Sequence, residues 1–166
     1  MTQNEKTRIL LVCMGNICRS PTAEGVLRKR IQEEGMAGWL ETDSAGTHSY
    51  HLGKGPDPRA QEAARRRGID ISDLRARQVE AADFEIFDWI LAMDEDNAGI
   101  LRADCPPRQA HKLGMLLDFA PGRREREVPD PYFGGESGFE YVLDLIEEAS
   151  DGLLEAVRRS PGGGAR

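Results

Sequence analysis

The chain has 166 residues and a formal net charge of −7, because 29 acidic residues outnumber 22 Lys and Arg. This length is typical of one globular domain with a sizeable core. An apolar fraction of 39% is too high for a disordered chain, and no apolar run reaches the roughly 18 residues of a membrane span. Nucleic-acid binding depends on clustered Lys and Arg, which the acidic balance disfavours. We therefore expect no nucleic-acid or membrane partner.

The cysteines indicate a reducing environment. Cys13, Cys18 and Cys105 are an odd number, so they cannot all pair within one chain. The first seven residues are polar and lack the apolar core of a secretory signal. We expect a cytoplasmic protein in which a cysteine is a reactive thiol or a buried small residue.

The first half of the chain predicts two strand and helix pairs. The continuous apolar run of residues 8–13 is typical of a parallel strand covered on both faces. Ser20, followed by proline, is predicted to cap a helix that extends to about residue 34. A second strand over residues 40–45 and a second helix over residues 57–68 follow.

The second half continues the alternation. A strand is predicted over residues 89–93, and the acidic cluster 94–97 is expected to cap a short helix. A weaker strand over residues 110–113 precedes a long helix whose apolar face covers residues 139–157. This order predicts one α/β domain over residues 1–159, with a small parallel sheet and a disordered tail over residues 160–166.

The loop after the first strand, CMGNICRS over residues 13–20, contains a cysteine, five further residues and an arginine. A parallel sheet binds ligands at the carboxyl ends of its strands, where amides at a helix N-terminus can hold a tetrahedral anion. Gly15 permits a tight bend, and the planar fork of Arg19 can bind two phosphoryl oxygens. The same positive potential favours the thiolate of Cys13, which is the nucleophilic form.

Spacing alone leaves two interpretations of this loop open. Cys13 can be a buried strand residue and Arg19 a solvated cation, because short motifs often match by chance. The position of the loop, between an apolar strand and the start of a helix, favours a phosphate cradle instead. Its phosphate-binding residues are then Met14, Gly15, Asn16, Ile17, Cys18 and Ser20, beside Arg19.

The segment over residues 12–21 resembles the low-molecular-weight protein tyrosine phosphatases. The resemblance extends in order over residues 8–157, so chance agreement is implausible. It implies a four-stranded parallel twisted sheet with helices on both faces, and hydrolysis of phosphotyrosine in proteins through a phosphocysteine intermediate, without metal or cofactor. Further matching segments are 43–47, 57–59, 77–78, 87–95 and 130–133.

The resemblance also assigns the catalytic residues. Cys13 is then the nucleophile, and Arg19 is the phosphate clamp. Asp130 is the general acid that protonates the leaving phenol, and later the base that activates water. From its own context, between two prolines, Asp130 fits a surface turn better than a catalytic role; the resemblance favours the catalytic role.

Other site residues follow from the same resemblance. Asn16, Ser20 and Ser44 match positions that hold the loop by hydrogen bonds. Aromatic side chains that form a deep slot would admit phosphotyrosine and exclude the shorter phosphoserine. These aromatic positions are Tyr50, Tyr132 and Phe133. The histidine that supports the loop asparagine in many relatives is absent near Leu74, which leaves its replacement open.

Some alternatives stay open. Cys18 is either a redox partner that protects Cys13 through a reversible disulfide, as the resemblance suggests, or a buried small residue. The histidines His48 and His51 have too few neighbouring ligands in the sequence to predict a metal site. A thiol-dependent arsenate reductase and an inactive phosphotyrosine-binding module are the competing functions. We expect a monomer or weak dimer whose partners are phosphotyrosine proteins, such as a tyrosine kinase.

Overall fold

The computed structural model describes residues 6–131, 135–162 and 164. The strands are β1 (Thr7–Cys13), β2 (Leu40–Gly46), β3 (Trp89–Ala92) and β4 (Leu113–Met115). The helices are α1 (Arg19–Glu33), α2 (Pro58–Arg65), α3 (Asp83–Ile86), α4 (Glu95–Asp104) and α5 (Gly135–Arg159). Short 3-10 helices at Pro107–Lys112 and Leu116–Phe119 flank β4.

The four strands form one parallel sheet in the order β2-β1-β3-β4. This confirms the predicted fold class. The chain runs from β1 outward to β2 and then crosses to β3 on the other side of β1. The carboxyl ends of β1 and β3 therefore lie side by side where the direction of winding reverses, the position at which open parallel sheets bind ligands.

Side chains of β1 alternate between two apolar cores. Ile9 and Leu11 pack in the core that contains the buried face of α1 and α5, including Leu27 and Leu143. Leu10 and Val12 pack in the core built by α3 and α4, with Phe84, Ala98 and Leu101. Both faces of the sheet are thus covered by helices, which explains why β1 is apolar without alternation.

The fourth strand lies further along the chain than predicted. Residues 110–113 were predicted as a strand, but β4 is Leu113–Met115 and shares only Leu113 with that range. The preceding residues form a 3-10 helix because Pro107 in its first turn fixes a helical φ angle.

The chain after α5 is hydrogen-bonded to the sheet through Trp89. The indole Nε1 of Trp89 donates a hydrogen bond of 2.9 Å to the carbonyl oxygen of Pro161. The disorder predicted for residues 160–166 stays a prediction, with this anchor at its start. Over the described residues, no helix is both long and apolar enough to cross a membrane.

Candidate active site

The proposed nucleophile lies at the carboxyl end of the central strand. Cys13 is the last residue of β1 and is 3% exposed. Its Sγ lies 3.0 Å from the hydroxyl of Ser20 and accepts a hydrogen bond of 3.3 Å from the backbone amide of Asn16. Two donors can therefore stabilise a negative charge on this sulfur.

Ser20 does not cap α1, contrary to the prediction. The helix begins at Arg19, and its N-cap, Cys18, makes no side-chain capping bond. Ser20 thus lies inside the first turn, where its hydroxyl faces Cys13 instead of a backbone amide. The sequence suggested a cap because serine before proline is common there.

The loop between β1 and α1 is held by backbone hydrogen bonds from neighbouring segments. The backbone amides of Thr47 and His48 donate to the carbonyls of Cys13 and Met14 at 2.9 and 3.0 Å. The backbone amide of Asp57 donates to the carbonyl of Ile17. A Cβ atom at Gly15 would lie 2.8 Å from the ring of His51, so a larger residue at this position would have to displace that ring.

The loop offers unpaired amides at a helix N-terminus. Within the described part of the chain, no protein acceptor pairs with the backbone amides of Gly15, Ile17 or Cys18. Amides near the positive end of a helix dipole are ready donors to an anion. The loop can therefore hold the oxygens of a phosphoryl group above Cys13.

Arg19 is held in place by two acceptors. This side chain is 5% exposed, and its Nη1 donates to Asp94 Oδ2 at 2.6 Å and to the carbonyl of Val128 at 3.0 Å. Burial disfavours its charge, but the attraction of Cys13, Asp94 and Asp130 outweighs this effect and holds the pKa of Arg19 above its usual value. The guanidinium remains charged, and no acceptor among residues 6–131 and 138–162 pairs with its Nε or Nη2 group, which can therefore bind a ligand.

Sequence reasoning missed the role of Asp94, which was predicted only as part of a capping cluster. Its Oδ1 does cap α4 by accepting from the amide of Asn97 at 2.8 Å. Its Oδ2 binds Arg19. The available signal was its position directly after β3, beside the end of β1.

Asp130 lies in a cleft above the loop, together with Arg19. The cleft has a volume of about 620 Å³. The Asp130 loop is anchored by the buried Val128, whose amide donates 2.8 Å to the carbonyl of Met93 at the end of β3. The residues that line the cleft are Met14, Arg19, His48, Asp94, Asp96, Asn97, Ile100, Glu127, Val128, Pro129 and Asp130.

One predicted aromatic wall residue is described and two are not. Tyr50 is 67% exposed and stacks on His48, with ring centroids 5.1 Å apart and planes 9° from parallel. Because His48 lines the cleft, this stack stands at its mouth. Tyr132 and Phe133 lie outside the described residues.

The predicted support residues form one hydrogen-bond network beneath the loop. Asn16 has a φ of 58°, and its Nδ2 donates to the hydroxyls of Ser20 and Ser44 at 2.8 and 3.0 Å. Its Oδ1 accepts from the backbone amide of Arg77 at 3.0 Å. The backbone amide of Arg77 therefore supports the loop asparagine, for which the sequence has no histidine near Leu74.

The second cysteine of the loop differs electrostatically from the first. Burial, followed by the negative charge of Asp57, raises the pKa of the Cys18 thiol to about 12. Cys18 is thus a protonated thiol at neutral pH. Its predicted redox role stays a prediction.

Comparisons of the sequence agree with this geometry. The sequence model of the low molecular weight phosphotyrosine protein phosphatases matches residues 8–161. A putative low molecular weight protein-tyrosine-phosphatase of Synechocystis is 46% identical over 151 residues, covering 90% of this chain and 96% of that protein. The human low molecular weight phosphotyrosine protein phosphatase is 38% identical over 157 residues, covering 93% and 98%.

Solved structures show the same fold. A protein tyrosine phosphatase from Entamoeba histolytica, crystallised with Hepes in its active site, superposes with a TM-score of 0.91 at 41% identity, covering 94% of this chain and 99% of that one. YfkJ from Bacillus subtilis gives a TM-score of 0.89 at 37% identity, covering 95% and 98%. With a family match across almost its whole length, the chain belongs to the low molecular weight phosphotyrosine protein phosphatases.

Proposed function

We propose that this protein hydrolyses phosphotyrosine in proteins through a phosphocysteine intermediate. One observation carries the proposal: Cys13 ends β1 in a loop whose amides at Gly15, Ile17 and Cys18 have no acceptor among the described residues, and Arg19, whose charge interacts with Cys13, lines a cleft together with Met14 and Asp130. A nucleophile, an anion clamp and a proton donor converge there, as phosphoryl transfer requires.

In the first step, the thiolate of Cys13 attacks phosphorus in line with the bond to the phenolic oxygen. The sulfur to phosphorus bond forms as the phosphorus to oxygen bond breaks, and Asp130 gives its proton to the leaving phenolate. Arg19 and the loop amides neutralise the charge on the three equatorial oxygens. No step in this sequence needs a metal ion or other cofactor.

In the second step, water attacks the phosphocysteine. The carboxylate of Asp130 now takes a proton from that water, the phosphorus to sulfur bond breaks, and Cys13 leaves as a thiolate. Ser20, with its hydroxyl 3.0 Å from the sulfur, stabilises the departing charge.

The substrate class follows from the cleft. A phenyl ring can lie along the stacked rings of His48 and Tyr50 while its phosphate reaches the loop. Phosphotyrosine on a protein, such as a tyrosine kinase, fits this arrangement. The shorter phosphoserine would leave its phosphate out of reach of Cys13.

Turnover of p-nitrophenyl phosphate in the presence of a chelator tests the proposal. We expect turnover that Cys13→Ser abolishes, whereas Cys105→Ser, which changes a thiol remote from the loop, matches the unmodified protein. Quenching during turnover should trap a phosphate on Cys13 that is detected by mass spectrometry. Arsenate reduction with thioredoxin but without phosphatase turnover would favour the reductase, and phosphotyrosine binding without turnover would favour a binding module.

A further inference from the structure

A buried carboxyl group ends the hydrogen-bond network beneath the loop. Glu24 lies on α1 one turn after Ser20 and is 6% exposed. Its Oε1 accepts a hydrogen bond of 2.6 Å from the hydroxyl of Ser44. Neither step of the mechanism above uses this carboxyl group.

The partners of Asn16 determine the direction of the hydrogen bonds. Because the amide of Arg77 donates to its Oδ1, the side chain presents both hydrogens of Nδ2 to Ser20 and Ser44. Each serine oxygen thus accepts from Asn16, and its own hydrogen is left for another acceptor. The hydrogen of Ser44 goes to Glu24, and that of Ser20 is left for the sulfur of Cys13.

We propose that Glu24 is a positioning residue for the nucleophile: by accepting the hydrogen of Ser44, it keeps Asn16 and Ser20 oriented so that Ser20 donates to Cys13. The proposal rests on the phosphocysteine mechanism given above. Without this acceptor, the hydroxyl hydrogen of Ser44 turns toward Asn16, where it clashes with the hydrogens of Nδ2. The amide then turns, and Ser20 loses the donor that directs its hydrogen to the sulfur.

The charge state of Glu24 also links the network to pH. Burial raises the pKa of Glu24 to about 7, against the opposing effect of the Ser44 hydrogen bond. Asp43 on β2 and Asp73 in the segment before β3 raise it further, and Arg28 on α1 lowers it.

These charged neighbours of Glu24 already have ion-pair partners. Arg28 binds Asp73 at 3.2 Å, and Asp43 binds Arg77 at 3.1 Å. In the described residues, no cation pairs directly with Glu24. A neutral Glu24 accepts from Ser44 without adding charge. An ionised one places a negative charge on the network that serves the Cys13 thiolate and the bound phosphate, which disfavours both anions.

Two variants separate the acceptor from the charge. Glu24→Gln keeps an acceptor oxygen but cannot ionise, and Glu24→Leu removes the acceptor. Glu33→Gln, an exposed residue on the same helix, is the matched control. Two quantities are measured from pH 5 to pH 9: kcat/KM with p-nitrophenyl phosphate, and the rate at which iodoacetate alkylates Cys13 without substrate.

We expect Glu24→Leu to lower kcat/KM and the alkylation rate about tenfold below pH 6, where Glu24 is neutral and only the hydrogen bond is lost, and by less above pH 7, where the variant also removes the charge. For Glu24→Gln, we divide each quantity by its value in the unmodified protein. Both ratios should rise about threefold or more between pH 6 and pH 8, because only the unmodified Glu24 ionises over this range. Glu33→Gln should follow the unmodified protein throughout.

The proposal is overturned if Glu24→Leu is alkylated at Cys13 as fast as the unmodified protein below pH 6, and its link to pH is overturned if Glu24→Gln keeps the pH profile of the unmodified protein. Should Glu24→Leu fail to fold, Glu24→Ala, which also removes the acceptor, takes its place in this comparison. A protein without phosphatase turnover in which Glu24→Leu still slows the alkylation of Cys13 would retain the positioning role and reject the proposed function. The two failures are therefore distinguishable.

Discussion

Arg19 Nη1 lies 2.6 Å from Asp94 Oδ2, so the residue that caps α4 also orients the anion-binding side chain at the start of α1. The two carboxylate oxygens serve different partners: one holds the helix and the other holds the guanidinium. Two strand and helix units are thereby joined at the site. The phosphate clamp depends on the ends of β1 and β3 being neighbours in the sheet.

Asp94→Asn tests this relationship. Asparagine is an equally good N-cap, so α4 should stay capped, but the neutral amide no longer attracts the buried charge of Arg19. We expect kcat/KM for p-nitrophenyl phosphate to fall by about tenfold to a hundredfold, and the free energy of unfolding to fall by about 1–3 kcal/mol, because the buried guanidinium loses its charged partner. Asp104→Asn at the other end of the same helix is the control. Unchanged kinetics in Asp94→Asn would show that Asp94 only caps the helix.

The proton-donor role of Asp130 predicts a dependence on the leaving group. Phenol is a poorer leaving group than p-nitrophenol and needs the proton more. In Asp130→Asn, kcat/KM should therefore fall by about a hundredfold or more for phenyl phosphate and by clearly less for p-nitrophenyl phosphate. Asp118→Asn, an exposed residue of the 3-10 helix after β4, should affect neither substrate. Equal losses of kcat/KM for the two substrates would argue against proton donation by Asp130.

The sequence predicted the parallel sheet and the anion-binding loop because both depend on local patterns. Apolar runs mark the strands, and the loop is continuous in the chain. The contributions of Asp94 and of the Arg77 amide could not be predicted in the same way. Each reaches the loop from a segment distant in sequence, and only the strand order brings it there.

Glu24 was missed for a different reason. It lies on the helical face that buries Ala23 and Leu27, where a carboxyl group looks like an interruption of the apolar pattern. Its hydrogen bond to Ser44 depends on how α1 packs against β2, which the sequence does not specify. The shift of β4 toward Met115 likewise arose because the residues before it adopt a 3-10 helix.

The cysteines should differ in reactivity toward iodoacetamide at pH 7. Burial raises the pKa of Cys105, and burial with Asp57 raises that of Cys18 to about 12, so both stay protonated. Cys13 has two donors on its sulfur and should be labelled first, and inorganic phosphate should slow its labelling. Peptide mass spectrometry measures the three rates. Labelling of Cys18 as fast as that of Cys13 would contradict this assignment.

Asn16 contributes both its left-handed backbone and its side-chain hydrogen bonds, and two variants separate them. Its φ of 58° costs about 1 kcal/mol more for alanine than for glycine. Asn16→Gly and Asn16→Ala both lose the bonds to Ser20 and Ser44, so both should lose activity. Urea unfolding should find the alanine variant about 1 kcal/mol less stable than the glycine variant. Equal stabilities would mean that the loop relaxes out of this conformation.

The buried carboxyl of Glu24 makes stability depend on pH in a stated direction. Its folded-state pKa of about 7 lies above the ordinary value of 4.5, so the unfolded chain releases the proton at lower pH than the folded protein. The stabilisation that the protonated carboxyl of Glu24 gives to the folded state is complete below about pH 4.5. It is lost as the pH rises to about 7, where the free energy of unfolding has fallen by about 3 kcal/mol. Glu24→Gln has no such proton. Its free energy of unfolding, relative to that of the unmodified protein, should therefore rise across this interval and level off above pH 7.

Urea unfolding at pH 4.5, 6, 7 and 8 measures this difference. Glu33→Gln, on the exposed side of the same helix, shows what the loss of a carboxylate from α1 does by itself. A constant difference between Glu24→Gln and the unmodified protein over the whole range would mean that Glu24 ionises equally in the folded and unfolded states. The stability curve and the alkylation profile of Cys13 should bend at the same pH, because one proton controls both.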